Sequence, residues 1–492
     1  MLDVPLPLAA HPGLIEGWAV RVRRMSAALG WHDVALTHRA HRTGATLAIT
    51  APAGALLAAT SLNEWALHAS AAALGVAFDV ASLEEDAPPL DERQALGVLR
   101  ERVATEAALI AAGGADAPER PLAPPTIPVA LVTGSNGKTT TVRLIAAMLR
   151  AAGHVVGYCC TDGVFVGDEQ LAVGDFSGPE GARRVLGDPR VTAAVLETAR
   201  GGLLRRGLIV PRADVAVITN IAADHFGDYG VDTLEDLARV KGVVARALGP
   251  RGVLVLNADD ASLTAIATSL APTTSARVEW FRVEPADALL PPIAELPLAL
   301  GGAARHNIAN AAAAAHAAQA LGVSRELIQQ TLRSFGAANS DNAGRLERFE
   351  IRGARVWVDY AHNPHGLAAL LDAAAAQRGT GRLGLLLGQA GDRDDDAIRA
   401  LARTAWAARP DRIVLKDLES YLRGRAPGEV PALLRTELLA AGARADQLLT
   451  VADDVEGVRA LLEWSAPGDL LVLPVHALDA RERATRLIQS WN

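Results

Sequence analysis

Lysine is nearly missing from this 492-residue chain: of 48 Lys plus Arg, only Lys138, Lys241 and Lys416 are lysine. Where arginine serves almost everywhere else, each surviving lysine is a candidate for a task a guanidinium cannot perform. Cysteine is scarcer still, with Cys159 and Cys160 side by side in an apolar run. Adjacent residues rarely reach unstrained disulfide geometry, so the pair reads as buried thiols in a reducing compartment. Excess positive charge is also absent, and a net charge of −8 excludes nucleic-acid or anionic-membrane binding driven by overall basicity. No apolar stretch reaches the roughly 18 residues of a membrane span. The opening MLDVPLPLAAHPGL lacks the basic region of a secretory signal. These absences predict a soluble, cytoplasmic protein that binds neither nucleic acid nor membrane.

What is present is a chain long enough for two to four domains, half of it apolar. Residues 112–127, AGGADAPERPLAPPTI, concentrate Pro, Gly and Ala without periodicity and read as a linker. Ahead of it, residues 1–111 predict a small mixed α/β domain, with a strand at 46–50 and helices at 62–74 and 91–112. After it, short apolar runs alternate with helical patterns: PVALVT (128–133), AAVLET (193–198), DVAVIT (214–219) and GVLVLN (252–257), with helices at 232–247 and 306–321. Continuous apolar strands separated by helices imply a parallel sheet covered on both faces. The alternation restarts at RVWVDY (355–360) and continues through RLGLLLG, RIVLKD and DLLVLPV. The predicted fold is therefore α/β in three domains. A central P-loop parallel-sheet domain spans 128–342, and a C-terminal Rossmann-like, doubly wound domain spans 343–492.

Strand PVALVT runs directly into Gly134-Ser135-Asn136-Gly137-Lys138-Thr139-Thr140 and then into a helix, TVRLIAAMLR. A glycine-rich turn lets backbone N–H groups close on phosphates and the helix N-terminus adds partial positive charge. Lysine then reaches the outer phosphates and a threonine hydroxyl can ligate Mg²⁺. Val132 occupies the first position of the longer G-x-x-x-x-G-K spacing, so only the shorter G-x-x-G-K-T form is met. Two later strand ends carry metal-ligand types, Glu197 in VLETARGG and His225 in TNIAADH. Carboxyl ends of parallel strands are where open α/β sheets place their sites. A hard oxygen ligand and an imidazole suit Mg²⁺ or Mn²⁺. Lys241 lies on a largely apolar helix, TLEDLARVKGVVARAL, where burial would lower its pKa. A neutral lysine amine can take up CO₂ as a metal-binding carbamate; a snorkelling surface lysine is the alternative.

These segments, together with LNADD, HNIANAAAAA, AGRLERF, VDYAHNPHGL, GQAGDRDDDAIRALA and LKDLESYLRGRAPGEV, resemble the Mur ligase family, most of all the Mur-like C-terminal half of cyanophycin synthetases. The resemblance covers about residues 126–492, with the motifs in family order. It implies an ADP-forming amide ligase. ATP phosphorylates a substrate carboxylate, and an amine then attacks the acyl phosphate. It further implies that Gly134, Asn136, Gly137, Lys138, Thr139 and Thr140 hold the phosphates and that Thr139 ligates one Mg²⁺. Glu197 and His225 would ligate a second Mg²⁺, near a carbamylated Lys241. Asn307 and Asn310 would contact adenine, and Arg345 the γ-phosphate. Asp359 would contact ribose or a magnesium-bound water, with His362 in the same motif.

The chain also departs from cyanophycin synthetases. Only about 110 residues precede the linker, too few for their ATP-grasp domain, so one ligation rather than two is expected. Asp341-Asn342-Ala343-Gly344-Arg345 replaces the family's NPGR at a plausible hinge. For the acceptor pocket the C-terminal domain offers Asp392, Arg393, Lys416, Asp417, Glu419, Arg423 and Arg425. The likeness to the arginine-adding half suggests a basic acceptor such as arginine, and a peptide or aspartate-like carboxylate as donor. Three alternatives stay open: a nucleotide-binding accessory subunit working beside a cyanophycin-type or other peptide synthetase, a peptidoglycan-precursor ligase, and a folylpolyglutamate-like ligase. Whether the N-terminal domain binds the donor or makes a homodimer contact is also open.

Overall fold

The computed structural model describes the chain except residues 1, 6–7, 12, 33, 42–43, 50–55, 76–90, 113–121, 123, 225, 227–228, 230, 271–275, 419–420 and 492. Among the described residues, three sheets organise it. The first contains β1 (Leu2–Pro5), β2 (Leu36–His41) and β3 (Gly44–Ile49), antiparallel in the order β1-β3-β2. It accompanies helices α1 (Leu14–Ala28), α2 (Leu56–Ala73) and α3 (Glu92–Ala112). Leu14, Trp18, Leu47, Leu62 and Trp65 form its core. Only β3 was visible in the sequence, because β2, LTHRAH, has no apolar run. Position 50 and most of the expected linker lie outside the described residues.

The second sheet has eight strands in the order β11-β10-β9-β4-β8-β5-β6-β7. Its parallel part is β4 (Val129–Thr133), β5 (Val156–Cys160), β8 (Ala193–Glu197), β9 (Ala213–Ile218), β10 (Leu248–Asn257) and β11 (Arg277–Phe281). An antiparallel extension, β6 (Gly163–Val166) and β7 (Glu169–Val173), continues from β5. Strand alternation divides β4 between two cores: Ala130 and Val132 face one, Val129 and Leu131 the other. Both faces are dry, which is why β4 reads as an unbroken apolar run.

The first of those cores lies under α4 (Lys138–Ala151) and α9 (Arg305–Ala320). Ala311 to Ala315 on α9 are wholly buried, small residues that let α9 approach α4 closely. On the other face lie α5 (Pro179–Gly187), α6 (Arg200–Arg206), α7 (Leu234–Gly242) and α8 (Ala261–Leu270), while α10 (Arg325–Ser334) packs on α4. Thr233 caps α7 by accepting the Asp236 N–H. The helix expected over 232–247 ends at Gly242, where a 3₁₀ segment, Val243–Ala247, takes over. Glycine followed by two β-branched valines is poor helix interior.

The third sheet runs β12-β13-β17-β14-β15-β16, parallel except for the edge hairpin of β12 (Glu347–Ile351) with β13 (Ala354–Asp359). Its other strands are β14 (Leu383–Leu387), β15 (Arg412–Lys416), β16 (Leu448–Val451) and β17 (Leu470–Pro474). Helices α11 (Pro364–Gln377), α12 (Asp395–Ala407) and α13 (Glu429–Ala440) cover one face, and α14 (Asp454–Trp464) and α15 (Leu478–Gln489) the other. Among the described residues no helix is long and apolar enough to cross a membrane.

Candidate active site

The loop between β4 and α4 needs glycine at two places. Gly134 has φ +146°, and a Cβ there would lie 1.8 Å from Thr219 Oγ1. Gly137, which begins α4 with φ +84°, would place a Cβ 2.1 Å from Asn310 Oδ1. No side chain fits either position. The end of β9 then pins the loop: Thr219 Oγ1 donates to Asn136 O at 2.6 Å, and Asn136 N donates to Asn220 Oδ1 at 2.9 Å. Lys138 Nζ folds back onto Ser135 O at 3.1 Å. The loop is thus rigid before any anion reaches it.

Glu197, at the end of β8, is 1% exposed and accepts from Thr139 Oγ1 at 2.8 Å and Thr161 Oγ1 at 3.0 Å. Burial raises its pKa, with Lys138 and the Thr139 hydrogen bond opposing. Lys241 is 4% exposed and donates to Gly134 O at 2.9 Å from beneath the loop. Burial, assisted by the charge of Lys138, lowers its pKa well below the usual lysine value. His225 lies outside the described residues, so its distance from Glu197 is not part of this geometry. The hydroxyl of Thr139 and the carboxylate of Glu197 form a hard oxygen pair suited to Mg²⁺: among the described residues the side-chain hydrogen bonds to this buried carboxylate come from neutral hydroxyls, which favours a cation beside it.

A cavity of about 700 Å³ opens on one side of Lys138, lined by Thr140, Asn307, Asn310, Arg345, Asp359 and His362 among others. Asn310 Nδ2 donates to Asn307 Oδ1 at 3.3 Å, and Asn307 Nδ2 to Leu298 O at 3.2 Å. The two amides therefore also buttress the loop from below. Asn342 Nδ2 donates to Thr140 Oγ1 at 3.2 Å. Both oxygens of Asp359 accept backbone N–H groups, from Leu346 and Ala361, each at 2.8 Å. Arg345 Nη2 stands 3.4 Å from Thr139 Oγ1, and its guanidinium lies 4.3 Å over the Tyr360 ring. His362 lies 3.6 Å from Asp224 through Nε2. Asn363 and His365, which the sequence did not single out, meet Asn136 at 3.0 and 3.1 Å and so join the third sheet's motif to the loop.

A second cavity, about 540 Å³, opens on the other side of Lys138 and is lined by Arg200, Asp224, Lys241, Arg393, Tyr421 and Arg423 among others. Asp392 lies behind it, paired with Arg393 at 3.0 Å and with Arg423. Three expected pocket residues are elsewhere. Lys416 is wholly buried at the end of β15 and paired with Asp454 of α14. Asp417 accepts the Gly428 N–H at 2.6 Å ahead of α13, away from the cavity lining. Arg425 is tied to Gly391 O, Asp395 and Glu429. An ammonium in the sheet core and a helix-end carboxylate satisfy their neighbours, which spacing along the chain does not reveal. Glu419 lies outside the described residues.

A phosphate loop held by hydrogen bonds, with a buried carboxylate beside it and an arginine brought to it by the segment that leads into a second α/β domain, defines a P-loop enzyme built to bring a nucleotide and a second substrate together. The chain belongs to the Mur ligase family: the Mur ligase middle domain matches residues 132–318, and the Mur ligase, glutamate ligase domain matches residues 344–474. It is a ligase by that membership.

Cyanophycin synthetase of Crocosphaera subtropica is 37% identical over 382 residues, covering 72% of this chain and 43% of that protein. The chain thus spans under half the length of these relatives. The UDP-N-acetylmuramoyl-L-alanyl-D-glutamate--2,6-diaminopimelate ligase of Corynebacterium glutamicum is 30% identical over 379 residues, 70% of this chain and 69% of that protein. In fold, E. coli FolC in complex with DHPP and ADP superposes with a TM-score of 0.57 at 21% identity, over 78% of this chain and 92% of that one. MurF from Acinetobacter baumannii gives 0.53 at 21% identity, over 81% of each chain.

Proposed function

We propose that the protein is an ATP-dependent, ADP-forming amide ligase that activates a carboxylate as an acyl phosphate and joins it to an amino-acid amine. One observation carries this reading: Ser135, Lys138, Thr161, Tyr360 and His362 line both cavities, so the two meet at the phosphate loop. ATP occupies the larger, with Asn307, Asn310 and Asp359 toward the nucleoside and Gly134 to Thr140 around its phosphates. The donor carboxylate and the amine occupy the smaller. A carboxylate oxygen attacks the γ-phosphorus as the bond to ADP breaks. The amine nitrogen then attacks the acyl carbon, loses a proton, and phosphate departs.

Both steps crowd anions together. Lys138 and Arg345 offset that charge and align the reacting groups, the terms that dominate phosphoryl transfer. Thr139 and Glu197 would hold one Mg²⁺, which supplies further charge compensation at the phosphates. A second Mg²⁺ would engage Glu197, His225 and a carbamate on Lys241, whose buried amine has the Gly134 carbonyl as its hydrogen-bond acceptor. Arg200, Arg393 and Arg423 suit carboxylates, while Asp224 suits a cationic group. They favour an aspartate-like donor and a basic acceptor such as arginine. The domains would divide at 1–111, 128–342 and 343–492, with the first recruiting the donor or a second copy.

Phosphate release from ATP and Mg²⁺, measured across amino acids and short aspartate-containing peptides with Lys138→Ala as control, tests the reading. Turnover that requires one carboxylate and one amine, and vanishes in the variant, supports it. ATP binding without turnover across that matrix would instead favour an accessory subunit.

A further inference from the structure

One buried cluster reaches beyond both cavities and shares only Arg345 with the larger. Asp162, in the turn between β5 and β6, is 6% exposed, and three guanidinium groups converge on its carboxylate. Arg143 of α4 places Nη2 2.8 Å from Oδ2, and Arg481 of α15 donates through Nη2 to Oδ1. Arg345 places Nη2 3.5 Å from Oδ2. Glu347, which accepts the Gly344 N–H at 2.9 Å, adds a second carboxylate beside the same three arginines, so removing the Asp162 charge would leave those cations with much less compensation.

The three arginines come from three parts of the molecule. Arg143 belongs to the second sheet's domain, Arg481 to the third's, and Arg345 to the segment joining them. That segment is held too: Arg143 Nη1 donates to Ala343 O at 2.8 Å. Gly344, with φ +70°, lies so close under Arg481 that a Cβ would stand 2.0 Å from its Nη1. Arg345 is the shared member. Its Nη1 donates to Gly344 O at 3.0 Å, its Nη2 reaches both Asp162 and Thr139 Oγ1, and its face covers Tyr360.

We propose that Asp162 is a positioning residue that couples closure of the third domain, through Arg481, to placement of Arg345 at the phosphate loop. The proposal rests on the ligase reading for Arg345's task. When the third domain closes, Arg481 reaches the Asp162 carboxylate and packs against Gly344, which fixes the segment's path. The Arg345 guanidinium then has one place left, between the carboxylate and Thr139. When the domain opens, Arg481 departs and the clamp on Arg345 loosens. Closure and assembly of the charge-compensating site are then one event, which limits wasteful exposure of an acyl phosphate to water.

The full-length chain with Asp162→Asn, Arg481→Met and the double substitution tests this, with thermal melting as the check on folding. With a productive carboxylate and amine, Asp162→Asn is expected to lower kcat by about 10- to 100-fold while leaving the KM for ATP unchanged. The double variant should be no worse than Asp162→Asn alone. Spin labels at Asp168→Cys and Asp396→Cys, positions on the two domains whose side chains are 98% and 93% exposed, report closure directly. A non-hydrolysable ATP analogue should narrow their distance distribution in the parent but not with Asp162→Asn. Should that variant fail to fold, Arg481→Lys serves in its place. Unchanged kcat and unchanged closure would overturn the proposal, as would losses that multiply in the double variant. Because the label measurement needs only nucleotide, Asp162-dependent closure without phosphate release would sink the ligase reading and leave this coupling standing.

Discussion

Thr139 donates its hydroxyl to Glu197 Oε2 at 2.8 Å, joining the first turn of α4 to the end of β8 in a buried contact. Burial raises the pKa of Glu197, so the folded state holds its proton more tightly than the unfolded chain. This contribution therefore favours folding at low pH and turns against it as pH rises from the unfolded value of about 4.3 toward the raised one. Glu197→Gln is expected to raise the melting temperature of the ligand-free protein at neutral pH. The same change should cut ATP turnover by at least about 100-fold. Calorimetry beside phosphate release checks both signs, and a variant that is less stable yet active would contradict the role.

Gly137→Ala should cost about 1–3 kcal/mol, because it combines φ +84° with a Cβ 2.1 Å from Asn310 Oδ1. Nucleotide affinity should fall with it, since the added methyl displaces the loop that the amide supports. Denaturant melts and titration with a fluorescent ATP analogue measure the two effects.

His316 of α9 lies between Glu279, at 3.0 Å through Nδ1, and Asp287, at 2.9 Å through Nε2. Burial lowers its pKa, but the two carboxylates outweigh this and the net shift is upward. The stabilisation is complete below the unfolded histidine value of about 6.5 and disappears as pH rises through the raised folded value. Asp287 shifts the other way: burial pushes it up, the His316 and backbone hydrogen bonds together with the His316 charge more than offset that, and its contribution is lost under strongly acidic conditions. His316→Gln should therefore lower the melting temperature more at pH 6 than at pH 9. An equal loss at both would contradict the charge pairing.

Lys416, wholly buried and paired with Asp454, is expected to act on stability rather than on acceptor choice. Lys416→Met leaves Asp454 buried without its ammonium and should cost about 3–5 kcal/mol. Adding Asp454→Leu should recover much of that loss. Acceptor preference should be the same in the double variant as in the parent, and a changed preference would restore Lys416 to the pocket.

The parts of the site legible in the sequence were those whose chemistry is local. The phosphate loop is one contiguous turn between an apolar strand and a helix, and Glu197 sits at a strand end beside it. Lysine scarcity led to Lys138 and Lys241 at the loop, and equally to Lys416, which is buried but paired within its own domain. Rarity marks a lysine that arginine cannot replace, and a compact buried ion pair meets that condition as well as a ligand does. Asp162 and Thr161 escaped notice because they occupy a turn between two short strands, β5 and β6, and their partners lie far along the chain. Arg481 meets Asp162 across 319 positions, a relationship set by domain packing and without local pattern.

The central claim is that a carboxylate in the smaller cavity takes the γ-phosphoryl group from a nucleotide in the larger one. The most direct measurement supplies whichever carboxylate supports turnover with both its oxygens labelled by heavy isotope, then analyses the released phosphate by mass spectrometry. One labelled oxygen should appear in each phosphate, left there when the acyl phosphate is broken by the amine. Phosphate that carries no label while the amide accumulates would contradict the acyl-phosphate account.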